Sequence, residues 1–390
     1  MKVIRQLARG NIRQYGMIAA LVFIIAFFQI MTGGVLLRPM NITNLIMQTS
    51  YIHIMAIGMM LVIITGFVDL SIGSVVAATG ACSAVLMIDN GVPVIWGVLL
   101  ILIMGIMIGS AHGFVISVIK IPPFITTLAG MLIFRGVCQV ILSGETKGPY
   151  PVAFTQVSTG YISFKLSGGE GRDVFALILG ALVVLFLIFT EFRDRKSKQK
   201  YSLDTLPAYL SVAKIAIISL FVGFLAYMLS SYNGVPIILC IVVGLAVFYT
   251  FVMQNTVIGR HIYAVGGNQV SAKLSGISVG KIKFIVFANM GLLAALAGMI
   301  VAGRLNAATP RAGDGFELDA IAACYIGGAS TSGGIGTIVG GIVGAMVMGV
   351  LNNGMSIMGL PIDWQRIIKG LVLVAAVCFD LYAKKKNASA

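Results

Sequence analysis

The chain has 390 residues, of which 58% are hydrophobic and only 10% charged, with a mean hydropathy of +1.01. A soluble domain usually carries about 25% charged residues, so a water-soluble globule is excluded and lipid must be the solvent. The formal charge of +14 does not indicate a nucleic-acid partner, because seventeen of the 27 Lys and Arg lie in five places beside apolar segments: 1–14, Lys120, 191–206, 254–283 and 384–386.

Lys2, Arg5, Arg9 and Arg13 precede an apolar run over 16–31. No small-residue cleavage site leading into a polar chain follows it, so a retained first helix is expected. Further apolar segments fall at 50–66, 72–88, 93–119, 122–142, 174–190, 209–229, 235–253, 284–303, 320–330, 335–351 and 365–382. Most approach the ~20 residues that a helix needs to span the hydrocarbon. The expectation is an all-α, polytopic transmembrane bundle of about 10–12 membrane segments, forming one transmembrane domain over 1–390. Threading the chain from a cytoplasmic N-terminus puts the basic loops 191–208 and 254–283 and the tail Lys384–Lys386 on the cytoplasmic side. Loops 143–173 and 304–319 then face outward.

Segment 320–330 is short and runs into Gly327-Gly328-Ala329-Ser330-Thr331-Ser332-Gly333-Gly334, which predicts a broken or re-entrant helix. Such backbone survives at membrane depth only where protein or a cavity satisfies it. An internal echo suggests two related halves: residues 72–91 align without gaps on 335–354, with five of twenty positions identical. Small residues also recur every fourth position, as in Gly105, Gly109, Gly113, or Gly336, Gly340, Gly344, which lets helix backbones approach closely.

Asp69 is a conspicuous carboxylate at the edge of an apolar stretch. It fits a transport pathway or gate, and equally a turn in which Asp69 or Ser71 accepts backbone N–H groups at the start of the next helix. Arg135, well inside an apolar stretch, needs a carboxylate or helix-end carbonyls as partner. Cys82, Cys138, Cys240, Cys324 and Cys378 show no CxxC pairing, and His53, His112 and His261 make no metal-binding spacing; packing is their expected role.

The stretch 256–277, TVIGRHIYAVGGNQVSAKLSGI, carries two basic residues and no acid. It is far longer than the ~4–6 residues of a plain connection, as a structured cytoplasmic hairpin gripping a soluble partner would be. Gly266 and Gly267 are expected to supply a sharp turn through their permissive backbone angles. The nearby Gly276…Gly280-Lys281-Ile282 is not a phosphate loop. It has three residues between the glycines instead of four, and Ile where Ser or Thr would hold magnesium.

The segment GRHIYAVGGNQVSAKLSGISVGKIK closely resembles the cytoplasmic motif of the ribose/xylose-type permeases of bacterial ABC importers. So do ITGFVDLSIGS at 64–74, FITTLAGMLIFRG at 124–136, ATPRAGDGFELDAIAACYIGGAS at 308–330 and GGIGTIVGGIVGAMVMGVLNNG at 333–354. The length, with a helix pair near 174–229, resembles the xylose and multiple-monosaccharide branch. The resemblance implies a non-catalytic inner-membrane subunit that moves a monosaccharide of the xylose, ribose, arabinose or galactose class. Its implied partners are a separate ATPase, which would bind the ATP and magnesium, an extracytoplasmic sugar-binding protein and a second permease copy. No cofactor is expected on this chain.

Transferred by position, the resemblance implies an ATPase-coupling surface within 254–283 made of Arg260, Tyr263, Gly266, Gly267, Asn268, Ala272, Leu274, Ser275 and Gly276. The pathway or gate residues would be Asp69, Ser71, Gly73, Gly327, Gly328 and Gly336. Arg311, Asp314, Glu317 and Asp319, on the outer loop, fit a plain solvated face and, with the resemblance, equally a docking site for the binding protein. The competing function is an ion-coupled secondary transporter, also built from repeats with broken helices. It would place acids or histidines mid-membrane, and only Asp69, His112 and His53 are candidates.

Overall fold

A computed structural model describes residues 2–165, 171–200 and 208–388 of the chain. The basic segment expected at 191–208 therefore lies partly outside the described residues. The regular structure of the described residues is helical apart from a two-residue antiparallel pairing of β1 (Tyr161–Ile162) with β2 (Val235–Pro236) and two isolated bridges.

Four helices bury most of their apolar length and form the centre: α2 (Pro39–Ile64), α3 (Ile72–Ala84, continued by a π-helical turn to Asp89), α12 (Val279–Leu305) and α14 (Ile338–Ile357). Their most apolar stretches are 67–72% buried, against 11–28% for α4 (Val94–Phe114), α5 (Pro123–Leu142), α7 (Val174–Lys200), α8 (Ala208–Ser230) and α9 (Ile237–Asn255). The outer helices leave rows of Leu, Ile, Val and Phe uncovered, as a lipid-facing surface requires. These nine helices are the ones long and apolar enough to cross a membrane among the described residues. The other helices are α1 (Lys2–Met31), whose apolar part is Gly16–Met31, the short α6 (Val152–Thr159), α10 (Val257–Gly267), α11 (Gln269–Leu274), α13 (Phe316–Ile326) and α15 (Ile362–Ala388). Proline stands at the cap or first position of α2, α4, α5, α6 and α9, where its missing N–H costs nothing.

The centre has two related halves, α2–α5 and α12–α15, that exchange partners. The long helix α12 packs on α3 and α4 of the first half, and the long helix α2 packs on α13 and α14 of the second. Likewise α5 lies against α3 and α15 against α13. Directions match too. Gly105 of α4 meets Gly291 and Ala295, while Gly113 meets Phe284, so α4 runs antiparallel to α12. Gly341 meets Ala56 and Met60, while Gly349 meets Thr49, so α14 runs antiparallel to α2.

This arrangement corrects the sequence echo. Residues 72–91 and 335–354 belong to α3 and α14, yet the counterpart of α3 is α13 and that of α14 is α4. The echo reflects a shared demand for small residues where a helix presses on a neighbouring backbone, and such a demand recurs at non-equivalent places. The broken helix is found as expected. At 11 residues, α13 is only ~16 Å long and cannot cross ~30 Å of hydrocarbon.

Candidate functional site

The first candidate zone is a joint at one end of the bundle. Thr256 opens α10 by accepting the Gly259 N–H at 3.3 Å, and α10 buries Ile262 and Val265. Tyr263, on the same helix, donates its hydroxyl to the Gly336 carbonyl at 2.7 Å. Burial pushes the Tyr263 phenol up, so it stays a protonated donor. Gly266 lies flat against the end of α2, where a Cβ would collide with the Ile64 carbonyl oxygen. That same carbonyl accepts the Gly334 N–H at 2.8 Å. Three segments from distant parts of the chain therefore meet here: the end of α2, the end of α10, and the loop between α13 and α14.

Asn268 ends α10 and starts α11, accepting the N–H groups of Val270 (2.9 Å) and Ser271 (3.0 Å). Of α11, only Ala272 is buried. Val270 is 69% exposed and Leu274, one turn further on, 84% exposed. Gly276 (φ +82°) then turns the chain toward α12, and Ile277 N–H bonds back to the Ala272 carbonyl. Arg260, Gly267, Asn268, Leu274, Ser275 and Gly276 are exposed together. Tyr263 and Ala272 support that surface from below.

The turn differs from expectation. Neither Gly266 nor Gly267 has a positive φ, and both lie inside α10. Gly266 is small because of the Ile64 carbonyl, while a Cβ on Gly267 would meet open space. Asn268 supplies the break between the two helices.

The second zone lies where the two short central helices begin. Gly73 of α3 abuts Gly313 and the Glu317 carboxylate, leaving no room for a Cβ. Arg135 of α5 donates to the carbonyls of Pro310 (3.3 Å) and Ala312 (2.7 Å), which satisfies the irregular chain before α13. Asp69 is 3% exposed, and its Oδ1 accepts the Ser71 N–H at 2.8 Å and the Ser71 hydroxyl at 2.6 Å. The Ser71 Oγ lies 3.5 Å from His112 Nδ1 on α4. Asp69 thus shapes the turn into α3, while Ser71 makes no side-chain cap.

Asp319 is 1% exposed and cannot be a docking residue. Its carboxylate forms an ion pair with Lys369 Nζ of α15, 3.0 Å from Oδ1, and its Oδ2 accepts hydrogen bonds from Lys369 Nζ (3.1 Å), the Asn352 amide of α14 (3.3 Å) and the Tyr51 hydroxyl of α2 (3.5 Å). Glu317 is half-buried against Gly73 and is also withdrawn from the surface. Both point inward because they occupy the first turn of α13, which sits inside the bundle. Arg311 and Asp314 remain exposed, and Asp314 pairs with Arg366 at 2.6 Å. Gly327 presses on the Gly340 carbonyl, Gly328 holds φ +82°, and Gly336 packs on Met60 and Ile64; these three are joint residues. No local sequence pattern marks Tyr51 or Asn352. Lys369 carried the available signal, a charge inside the apolar segment 365–382. No group of three metal-ligating side chains occurs among the described residues.

Residues 41–377 match the family described as the branched-chain amino acid transport system / permease component. The chain belongs to this permease family. The permease is 39% identical over 376 residues to the xylose transport system permease protein XylH of Haemophilus influenzae, covering 96% of this chain and 98% of that protein. Identity to XylH of Escherichia coli K12 is 38%, over 97% and 94% of the two chains. Identity to the ribose import permease protein RbsC of the same strain is 36%, over 87% and 85%. No solved structure matches it.

Proposed function

We propose that this permease is the channel-forming subunit of an ATP-driven importer for a monosaccharide. The observation that carries the reading is the α10–α11 hairpin. It is fixed by Tyr263 and Gly266 to the ends of α2 and of the α13–α14 loop, and it presents unpartnered Val270 and Leu274 outward. A soluble ATPase docking there gains apolar contact and pulls on both halves at once. Such a subunit hydrolyses no ATP itself; the partner ATPase binds ATP and magnesium. A sugar-binding protein docks at the opposite end, where Arg311 and Asp314 are exposed, and a second copy of the permease completes the channel. The names of the relatives, xylose and ribose permeases, set the substrate class.

The orientation follows from charge. The ladder pairing of Lys147 with Ala308 and of β1 with β2 gathers 147–162, 235–236 and 308 at one end. The basic segments by α7 and α10–α12 belong to the other, which the positive-inside rule assigns to the cytoplasm of the bacterial inner membrane, with both termini. Single cysteines at 196, 273 and 385 should therefore resist a membrane-impermeant reagent on whole cells, and those at 147 and 165 should react. Strong external labelling at 273 contradicts the topology.

The transport route runs beside Asp69, Ser71 and Gly73 at the start of α3 and is closed on the cytoplasmic side by Gly327, Gly328 and Gly336. An amide oxygen can accept both Ser71 bonds, so Asp69→Asn should insert and fold normally while uptake falls. Unchanged uptake confines Asp69 to the turn. The function itself is tested in proteoliposomes containing the permease, its ATPase and its binding protein. Sugar uptake should require ATP and survive ionophores that collapse ion gradients. Uptake by the permease alone, abolished by ionophores, would establish the ion-coupled reading instead.

A further inference from the structure

We infer that Tyr51, Phe316, Asp319, Asn352 and Lys369 form a sugar-binding station inside the permease, where the solute pauses between the binding protein and the cytoplasm. The inference rests on the importer reading and adds the residues that handle the substrate.

Four helices, α2, α13, α14 and α15, each bring a polar group to one point. The Asp319 carboxylate is surrounded by the Lys369 ammonium, the Asn352 amide and the Tyr51 hydroxyl at 3.0–3.5 Å. Beside it the rings of Tyr51 and Phe316 stack with centroids 4.0 Å apart and planes 22° from parallel. Acceptors and donors next to an aromatic face are the complement of a pyranose or furanose. Its hydroxyls donate to a carboxylate or amide oxygen and accept from ammonium and amide N–H, and its C–H face lies on a ring. Ligand sites generally combine apolar walls with a few convergent polar groups. In transporters they lie where repeats meet at discontinuous helices. Here α13 is the discontinuous helix, and its beginning abuts that of α3.

A purely structural ion pair explains this cluster poorly. Buried ion pairs add little net stability over apolar packing, and one kept for packing should leave no amide half-satisfied. Asn352 Oδ1 is buried and has no hydrogen-bond partner, an acceptor that a sugar hydroxyl would satisfy. The cluster is also not sealed. Tyr51, Phe316 and Asn352 are only partly buried, and the Lys369 side chain is 25% exposed.

The test uses the complete importer in proteoliposomes, with D-xylose and D-ribose as probes, and measures sugar uptake and binding-protein-stimulated ATP hydrolysis side by side. Asn352→Leu keeps the branched outline of the side chain and removes the amide. Its uptake should fall about tenfold, the equivalent of one lost hydrogen bond to the passing sugar, while stimulated hydrolysis stays within about twofold of wild type. Tyr51→Phe keeps the ring stack and removes one hydroxyl, which guards against a folding defect in the first variant. It should lower uptake about threefold, again with hydrolysis retained. Uptake and hydrolysis falling together in both variants, or both staying unchanged, overturns the station. Failure of the wild-type importer to move these two sugars, and L-arabinose and D-galactose as well, removes the importer reading and the station with it. Normal wild-type import with an unaltered uptake-to-hydrolysis ratio in the variants removes the station alone.

Discussion

Gly266→Val should abolish ATP-driven uptake while the protein still inserts in the membrane. The side chain would have to occupy the space of the Ile64 carbonyl oxygen, with the Gly334 N–H close behind. Backbone cannot rotate away as a flexible side chain can, so α10 must lift off the end of α2. Overpacking of this kind costs ~1–3 kcal/mol, and here the cost falls on the joint, because the nearest atoms to the added Cβ belong to Ile64 at that helix end and to Gly334 of the α13–α14 loop. Tyr263 would lose its 2.7 Å bond to Gly336 in the same movement. Gly267→Ala is the control. A Cβ there meets nothing within 4 Å, and replacing a helical glycine by alanine gains up to ~1 kcal/mol. Uptake by Gly267→Ala should match wild type. Equal loss in both variants would mean that the hairpin responds to any added bulk and that the Ile64 contact is not its anchor.

Leu274→Glu should uncouple the permease from its ATPase without disturbing its own fold. Leu274 is 84% exposed and sits one turn from Val270, itself 69% exposed, so neither stabilises the isolated subunit. In a docked complex both become buried, and a carboxylate in that contact would be desolvated without a partner. Interface anchors of this type contribute ~2–4 kcal/mol, which corresponds to roughly thirty-fold or greater loss of affinity. The variant should purify in normal yield, fail to retain the ATPase, and show basal hydrolysis only. Full retention of the ATPase would place the contact elsewhere on the hairpin.

The membrane class, the positions of the helices and the presence of a structured α10–α11 hairpin were legible because each depends on local composition. An apolar run near 20 residues, flanked by Lys and Arg, has few alternatives to a spanning helix. The short helix α13 was legible for the same reason, since 320–330 is too brief to cross. What failed depended on the third dimension. Gly266 and Gly267 are adjacent and identical in type, yet only the first meets a backbone, and no sequence rule distinguishes them. Asp319 and Glu317 read as outer-loop acids because they follow Arg311 and Asp314. The chain dips inward before α13, held by Arg135, and carries them into the bundle. Lys369 and Asn352 escaped notice because their partner Asp319 lies 50 and 33 residues away. The two halves were anticipated, but small-residue periodicity paired α3 with α14, since close helix packing writes similar glycine patterns at non-equivalent places.

Coupling as proposed requires that α11 be the surface that meets the ATPase. A permease with exposed Cys240 and Cys378 replaced, and one cysteine introduced at position 274, allows a direct measurement in the assembled importer. A short bifunctional thiol reagent should link position 274 to the ATPase subunit, giving one product of the summed mass. It should link neither position 147 nor position 165, which lie at the opposite end of the bundle. A cross-link to the ATPase from 147 or 165, with none from 274 or 270, would show that the ATPase docks at the other end of the bundle and that α11 is not the coupling surface.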